Sequence, residues 1–154
     1  MGSITPCLWF DGQAEEAAAL YTSVVRNSRI LDVSRTGPAE SDPALTVSFE
    51  LDGQPFVGLN GGPQYSFTEA VSFQISCNDQ EEVDRYWAAL TEGGEESRCG
   101  WLKDRYGLSW QIIPAVFPSL IGGADPDGAQ RAVAAMLTMQ KLDIAALETA
   151  YRGT

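Results

Sequence analysis

Histidine is absent from this chain of 154 residues. The side chain that most often works as a general base or metal ligand near neutral pH is therefore excluded. Cations are scarce, with 10 Lys and Arg against 21 Asp and Glu, and the net charge is −11. Binding to phosphate needs Lys or Arg, so nucleic acid and anionic membrane are not expected partners. The acidic excess reads instead as a solvated, self-repelling surface. Long apolar runs are missing too. No stretch suffices to span a bilayer, and no basic segment followed by an apolar one opens the chain. The expectation is a soluble, unexported, cytoplasmic protein. Cysteine occurs three times, at Cys7, Cys77 and Cys99. An odd count at irregular spacing fits neither a disulfide framework nor a zinc motif. Cys7 and Cys77 lie in apolar strand-like runs and are expected to be buried thiols. Cys99 precedes Gly100-Trp101 and is expected to be more exposed, but a nucleophilic thiol would want a neighbouring base.

What is present is a segment that occurs twice. Gln13-Ala14-Glu15-Glu16-Ala17 follows one apolar run and leads into Tyr21; Gln80-Glu81-Glu82-Val83 follows another and leads into Tyr86-Trp87. The shift from Glu15 to Glu81 is 66 residues. That is too long for a solenoid repeat and suits a duplicated half-domain. In the first half, Ile4 to Phe10 reads as a strand and Ala14 to Val25 as a helix with apolar residues at helical spacing. Ile30 to Arg35 is a strand and Thr36 to Pro43 a loop. Ala44 to Leu51 alternates, Asp52-Gly53 is a hairpin signal, and Phe56 to Leu59 returns.

The second half repeats the order. Val71 to Cys77 is a strand, and Asp79 with Glu82 forms a capping box. Val83, Tyr86, Trp87 and Leu90 then follow on one helical face, which Gly93-Gly94 ends. Trp101 to Lys103 and Leu108 to Ile113 are strands around the turn Arg105-Tyr106-Gly107. The final hairpins align from Gly53 to Gly107, a shift of only 54 residues. The first half therefore carries extra residues, placed in its Thr36–Pro43 loop. Beyond Pro114, Asp125-Pro126 and Asp143 mark two helix starts. The fold class is α+β, with two βαβββ modules and a C-terminal helical extension. The expected organisation is one domain over 1–154, with modules at 4–62 and 69–115 and a helical tail at 118–152.

Two βαβββ modules in one chain resemble the vicinal oxygen chelate superfamily of glyoxalases, bleomycin-resistance proteins and extradiol dioxygenases. The local motifs resemble its PhnB-like branch: Phe10-Asp11-Gly12 with Glu15-Glu16-Ala17, Asn60-Gly61-Gly62-Pro63, Phe67-Thr68-Glu69-Ala70, and the stretch from Cys99 to Gln111. Such proteins often carry the label demethylubiquinone 3-methyltransferase. The resemblance implies sheets that wrap a shared cavity between the modules, and a homodimer. In metal-dependent members of the superfamily, His and Glu from the first and last strands of each module hold a divalent ion. Here those positions fall on the Ile4–Cys7 stretch, Val57, Ser72 and Gln111, which offer neither imidazole nor carboxylate. No metal and no cofactor is expected. The methyltransferase label would ask for a Gly-rich strand-to-helix loop, whereas Gly61-Gly62 is followed by Pro63 and Gly122-Gly123 follows no strand.

The candidate ligand-binding residues are Gln111, Asn60, Trp9, Phe56, Ser72 and Trp101. Gln111 sits between Trp110 and Ile112, so alternation sends its amide to the opposite face. That amide can orient a ligand carbonyl or hydroxyl, or can simply bond a neighbouring strand. Asn60 can act likewise, or can be a turn residue before Gly61-Gly62. Trp9, Phe56, Trp101 and Trp110 can wall a pocket or fill the core. The expected function is binding of a small, mainly apolar molecule without metal. The alternative is an enzyme, either a lyase, isomerase or oxygenase of the superfamily or the labelled methyltransferase. Without a metal, acid or base duty would fall to a carboxylate or tyrosine such as Glu69 or Tyr65.

Overall fold

The computed structural model describes residues 3–153. Its first unit ends at Phe67 and its second begins at Thr68. The first unit contains β1 (Cys7–Phe10), α1 (Ala14–Val24), β2 (Arg29–Arg35), β3 (Ala44–Leu51) and β4 (Gln54–Asn60). The strands form one sheet in the order β1-β4-β3-β2, with β1 parallel to β4 and the other pairs antiparallel. Asp52 (φ 48°) and Gly53 (φ 82°) both take left-handed backbone between β3 and β4, as the predicted two-residue hairpin requires.

Helix α1 buries Ala14, Ala17, Ala18 and Tyr21 against the sheet. The small alanines let the backbones approach closely: a Cβ added at Gly58 of β4 would lie 3.1 Å from that of Ala14. Tyr21 packs near Phe49, and Phe49 stacks on Phe56 at 5.4 Å. Gln13 gives the helix no side-chain cap. The Asn60 side chain, at the end of β4, accepts from the Ala14 amide instead, at 2.8 Å.

The second unit repeats this arrangement. It contains β5 (Ser72–Cys77), α2 (Gln80–Thr91), β6 (Glu95–Glu96), β7 (Trp101–Lys103) and β8 (Ser109–Pro114). Its strand order β5-β8-β7-β6 is that of the first sheet, again with first and last strands parallel. Asp79 Oδ1 accepts from the Glu82 amide at 2.9 Å, and Glu82 Oε1 accepts from the amide of Asn78. The predicted box is therefore present with its return bond shifted back by one residue. Val83, Tyr86, Trp87 and Leu90 form the buried face of α2, as their spacing predicts.

The tail folds as α3 (Phe117–Ile121), α4 (Pro126–Met136) and α5 (Ile144–Arg152). Phe117, Leu120, Ala132, Leu142 and Leu147 make its core. The tail is fastened within the second unit. The Cys99 and Gly100 amides donate to Met139 and Gln140 carbonyls at 2.9 and 2.8 Å. Gln80 of α2 donates to the Leu142 carbonyl and accepts from the Ile144 amide. Helix α3 was not expected from sequence, and β6 only as the unplaced third strand that a second βαβββ module requires. A five-residue helix without a polar cap, and a two-residue strand of exposed glutamates, carry no readable period. Among the described residues, no helix is long and apolar enough to cross a membrane.

Candidate functional site

Each sheet has one face under its helix and one face turned away from it. In the second unit, Trp110, Ile112 and Leu102 are buried on the helix side. Alternation puts Gln111 on the opposite face, together with its register partners Gln74 and Trp101. Gln111 Nε2 donates to Ser72 Oγ at 2.8 Å, and Gln74 Nε2 donates to Gln111 Oε1 at 3.2 Å. Three neutral side chains thus form a hydrogen-bonded row across β5 and β8. Trp101 is part-buried beside the row, and Ile113, further along β8, packs against the core of the C-terminal helices. Gln111, Ser72 and Trp101 therefore share one face. Gln74 joins them, although the sequence reading did not include it; the signal available was its parity with Ser72.

In the first unit, Cys7 and Trp9 of β1 pair with Val57 and Leu59 of β4. These lie on the face away from α1. Trp9 donates from Nε1 to the Gly62 carbonyl at 2.9 Å, and Tyr65 meets its ring edge-on at 4.9 Å. A Cβ at Gly61 would collide with the Trp9 ring, so glycine there makes room for the indole. Cys7 is exposed, contrary to the buried thiol expected from its apolar run: it starts the strand, and its parity opposes that of Leu8 and Phe10. Cys77 is buried as expected.

Two aromatic candidates belong to the core. Phe56 is 6% exposed and faces α1 through its stack on Phe49. It is on the opposite side of β4 from Val57 and cannot wall a pocket with Trp9. Trp110 is 3% exposed and donates to Asp104 Oδ2 at 2.9 Å. Asn60, too, is engaged in the fold: its Oδ1 caps α1 and its Nδ2 donates to the Ala44 carbonyl at 2.9 Å. The turn reading does not describe it either, since Asn60 is the last residue of β4.

The residues offered for acid–base work are placed as follows. Glu69 accepts from Lys103 Nζ at 2.7 Å. That hydrogen bond, then the lysine charge, holds the Glu69 carboxyl below its usual range, and the same contact raises Lys103. A carboxylate held ionised in this way is a poor proton donor at neutral pH. Cys99 is part-buried, with left-handed backbone (φ 60°). Near Glu15, a cleft of about 730 Å³ is lined by Asp11, Glu40, Asp42 and Arg35. The Arg35 guanidinium there is engaged by both Glu15 carboxylate oxygens, at 3.1 and 2.8 Å.

Among the described residues, no group of three His, Cys, Asp or Glu side chains converges as a metal site. At the positions where the superfamily places its ligands, Cys7 pairs in register with Val57, and Ser72 bonds Gln111. This donor set does not suit a hard divalent ion of the glyoxalase type.

Comparison with known proteins follows this geometry. A family model described as 3-demethylubiquinone-9 3-methyltransferase matches residues 2–113. A search of curated protein sequences finds no match. Among solved structures, a PhnB protein from Bacillus cereus is 33% identical with a TM-score of 0.68, covering 74% of this chain and 100% of its own. A Pseudomonas aeruginosa protein is 18% identical with a TM-score of 0.62, covering 74% of this chain and 98% of its own. The fosfomycin resistance protein FosX of Mesorhizobium loti is 14% identical with a TM-score of 0.53, covering 73% and 90%. The last two likenesses are of fold. Taken with the duplicated βαβββ architecture, the family match shows that the chain belongs to the 3-demethylubiquinone-9 3-methyltransferase family, the PhnB-like branch of the vicinal oxygen chelate superfamily.

Proposed function

We propose that this protein binds a small, mainly apolar molecule against the sheet face that carries Gln111, without a metal and without turning it over. The observation behind this reading is the Ser72–Gln111–Gln74 row. Its members are neutral amides and a hydroxyl, which orient a carbonyl or hydroxyl but neither chelate nor exchange protons readily. Trp101, the register partner of Gln111 on β7, supplies part-buried apolar surface beside the row. Small-molecule sites commonly set a few convergent polar groups beside apolar side chains.

The family's description names a methyl transfer, which would need a methyl-donor cofactor. The residues do not fit the usual glycine-rich loop for S-adenosylmethionine. Gly61-Gly62 leads from β4 into Pro63 rather than into a helix, and the Trp9 indole occupies the space over Gly61. Both sheets are mixed rather than doubly wound and parallel. Catalysis of that kind finds no support in these residues.

The test is a metabolite screen by ligand-observed NMR on the purified chain, repeated with Gln111→Ala. Loss of one neutral hydrogen bond should weaken a bound ligand by a few-fold to about tenfold. Turnover of any bound compound would overturn the binding-only reading. Unchanged affinity in Gln111→Ala would remove Gln111 from the site.

A further inference from the structure

The second unit also holds a hydroxyl that no described residue satisfies. Ser109, the first residue of β8, is 0% exposed, and its Oγ has no hydrogen-bond partner among the described residues. Burying such a group unpaired costs roughly 1–3 kcal/mol. Ser109 lines a cavity of about 160 Å³ with Glu69, Glu95, Glu96, Trp101 and Lys103. At ~30 Å³ per water, this is room for about five waters or a molecule of a few heavy atoms.

Charge decides what fits. Lys103 is paired with Glu69. Glu96 accepts from the Trp87 indole N–H at 2.5 Å. Glu95 also acts on Lys103 through its charge. Three glutamates against one lysine leave the wall with an excess of two negative charges. An anion meets no free cation there. A metal ion is disfavoured, because no three of the described carboxylates converge as ligands. An ammonium group suits every feature: it donates to a hydroxyl oxygen and to carboxylates, and its alkyl part can lie on an indole face.

We propose that this cavity binds the ammonium end of a small alkylamine, with Ser109 Oγ and the glutamate carboxylates accepting its protons and Trp101 covering its carbon. The acidic surface of the whole chain, at net charge −11, draws such cations in. The site shares Trp101 and the sheet face with the Gln111 row, but neither Ser109 nor Glu69 takes part in that row's hydrogen bonds.

The experiment is a 1H–15N NMR titration of the full chain with methylammonium chloride at constant ionic strength. Sodium acetate and magnesium chloride serve as comparators. Saturable shifts at Ser109, Lys103 and the Trp101 indole are expected with methylammonium alone. Glu69→Gln should weaken binding by about tenfold, the worth of a charge-assisted bond. Ser109→Ala should weaken it several-fold while leaving thermal stability equal or higher, because it removes an unpaired buried hydroxyl. That combination separates lost binding from lost folding. Saturation by acetate or by magnesium instead, absence of saturation with methylammonium, or undiminished affinity in Ser109→Ala would each overturn the proposal.

Discussion

Asn60 and Asp104 show how much of this fold hangs on single polar side chains. Asn60 caps a helix 46 residues upstream and bonds the Ala44 carbonyl. Asn60→Ala should cost about 1–2 kcal/mol through the lost cap, read as a lowered midpoint in urea unfolding. Asp104 is 3% exposed; its Oδ1 accepts from the Tyr106 and Leu108 amides at 2.8 and 3.1 Å, and its Oδ2 from the Trp110 indole. In Asp104→Asn, one end of the amide becomes a donor facing a donor. A loss of about 1.5–3 kcal/mol is expected by chemical denaturation, the worth of a bond to a charged group. Residue-level legibility followed the reach of each contact. Gln111 could be placed because Trp110 and Ile112 bracket it with buried neighbours. Phe56 could not, because it adjoins Val57, and two successive apolar residues do not say which one faces the helix. The partner of Asn60 lies too far along the chain for any local pattern to mark it.

At the scale of elements, the strongly periodic helices α1 and α2 and the hairpin at Asp52-Gly53 were legible because period and turn chemistry act locally. Where the tail docks was not legible, because its contacts join residues far apart in sequence. Gln80 spans 62 and 64 residues to reach Leu142 and Ile144. Its neighbour Asp84 accepts from Lys141 Nζ at 2.8 Å and from Gln80 at 2.9 Å. The lysine bond, then the Gln80 bond, holds the Asp84 carboxyl below its usual range. Because the folded value is the lower one, this tie favours the folded state above the ordinary aspartate pKa. It is lost as pH falls through the lowered value. A 13C titration of the Asp84 carboxyl should therefore show a depressed midpoint, which Lys141→Met moves back up. Gln80→Ala should speed amide exchange at the start of α5, where the Ile144 amide loses its acceptor.

At the scale of the whole molecule, the duplication shows as the same strand order in both units, and the sequence carries it as the paired Glu-Glu segments. We propose that the chain forms a homodimer. Strand β2 is an edge strand of seven residues, and unpaired edges recruit partners. Leu31 and Leu45 near that edge are each 47% exposed, and Leu137 after α4 is 58% exposed. Light scattering should give about twice the 16.6 kDa chain mass, and a monomer at micromolar concentration would overturn this. The pairing of each unit's first strand with its last has a separate consequence for synthesis on the ribosome. When β1 and α1 emerge, β4 does not yet exist. The strand has no ladder to join, and the helix has no Asn60 to close its first turn. The β3–β4 hairpin, with its short sequence separation, can form at once, whereas β1 must wait for it. Each half of the chain is thus topologically open until its final strand has been made.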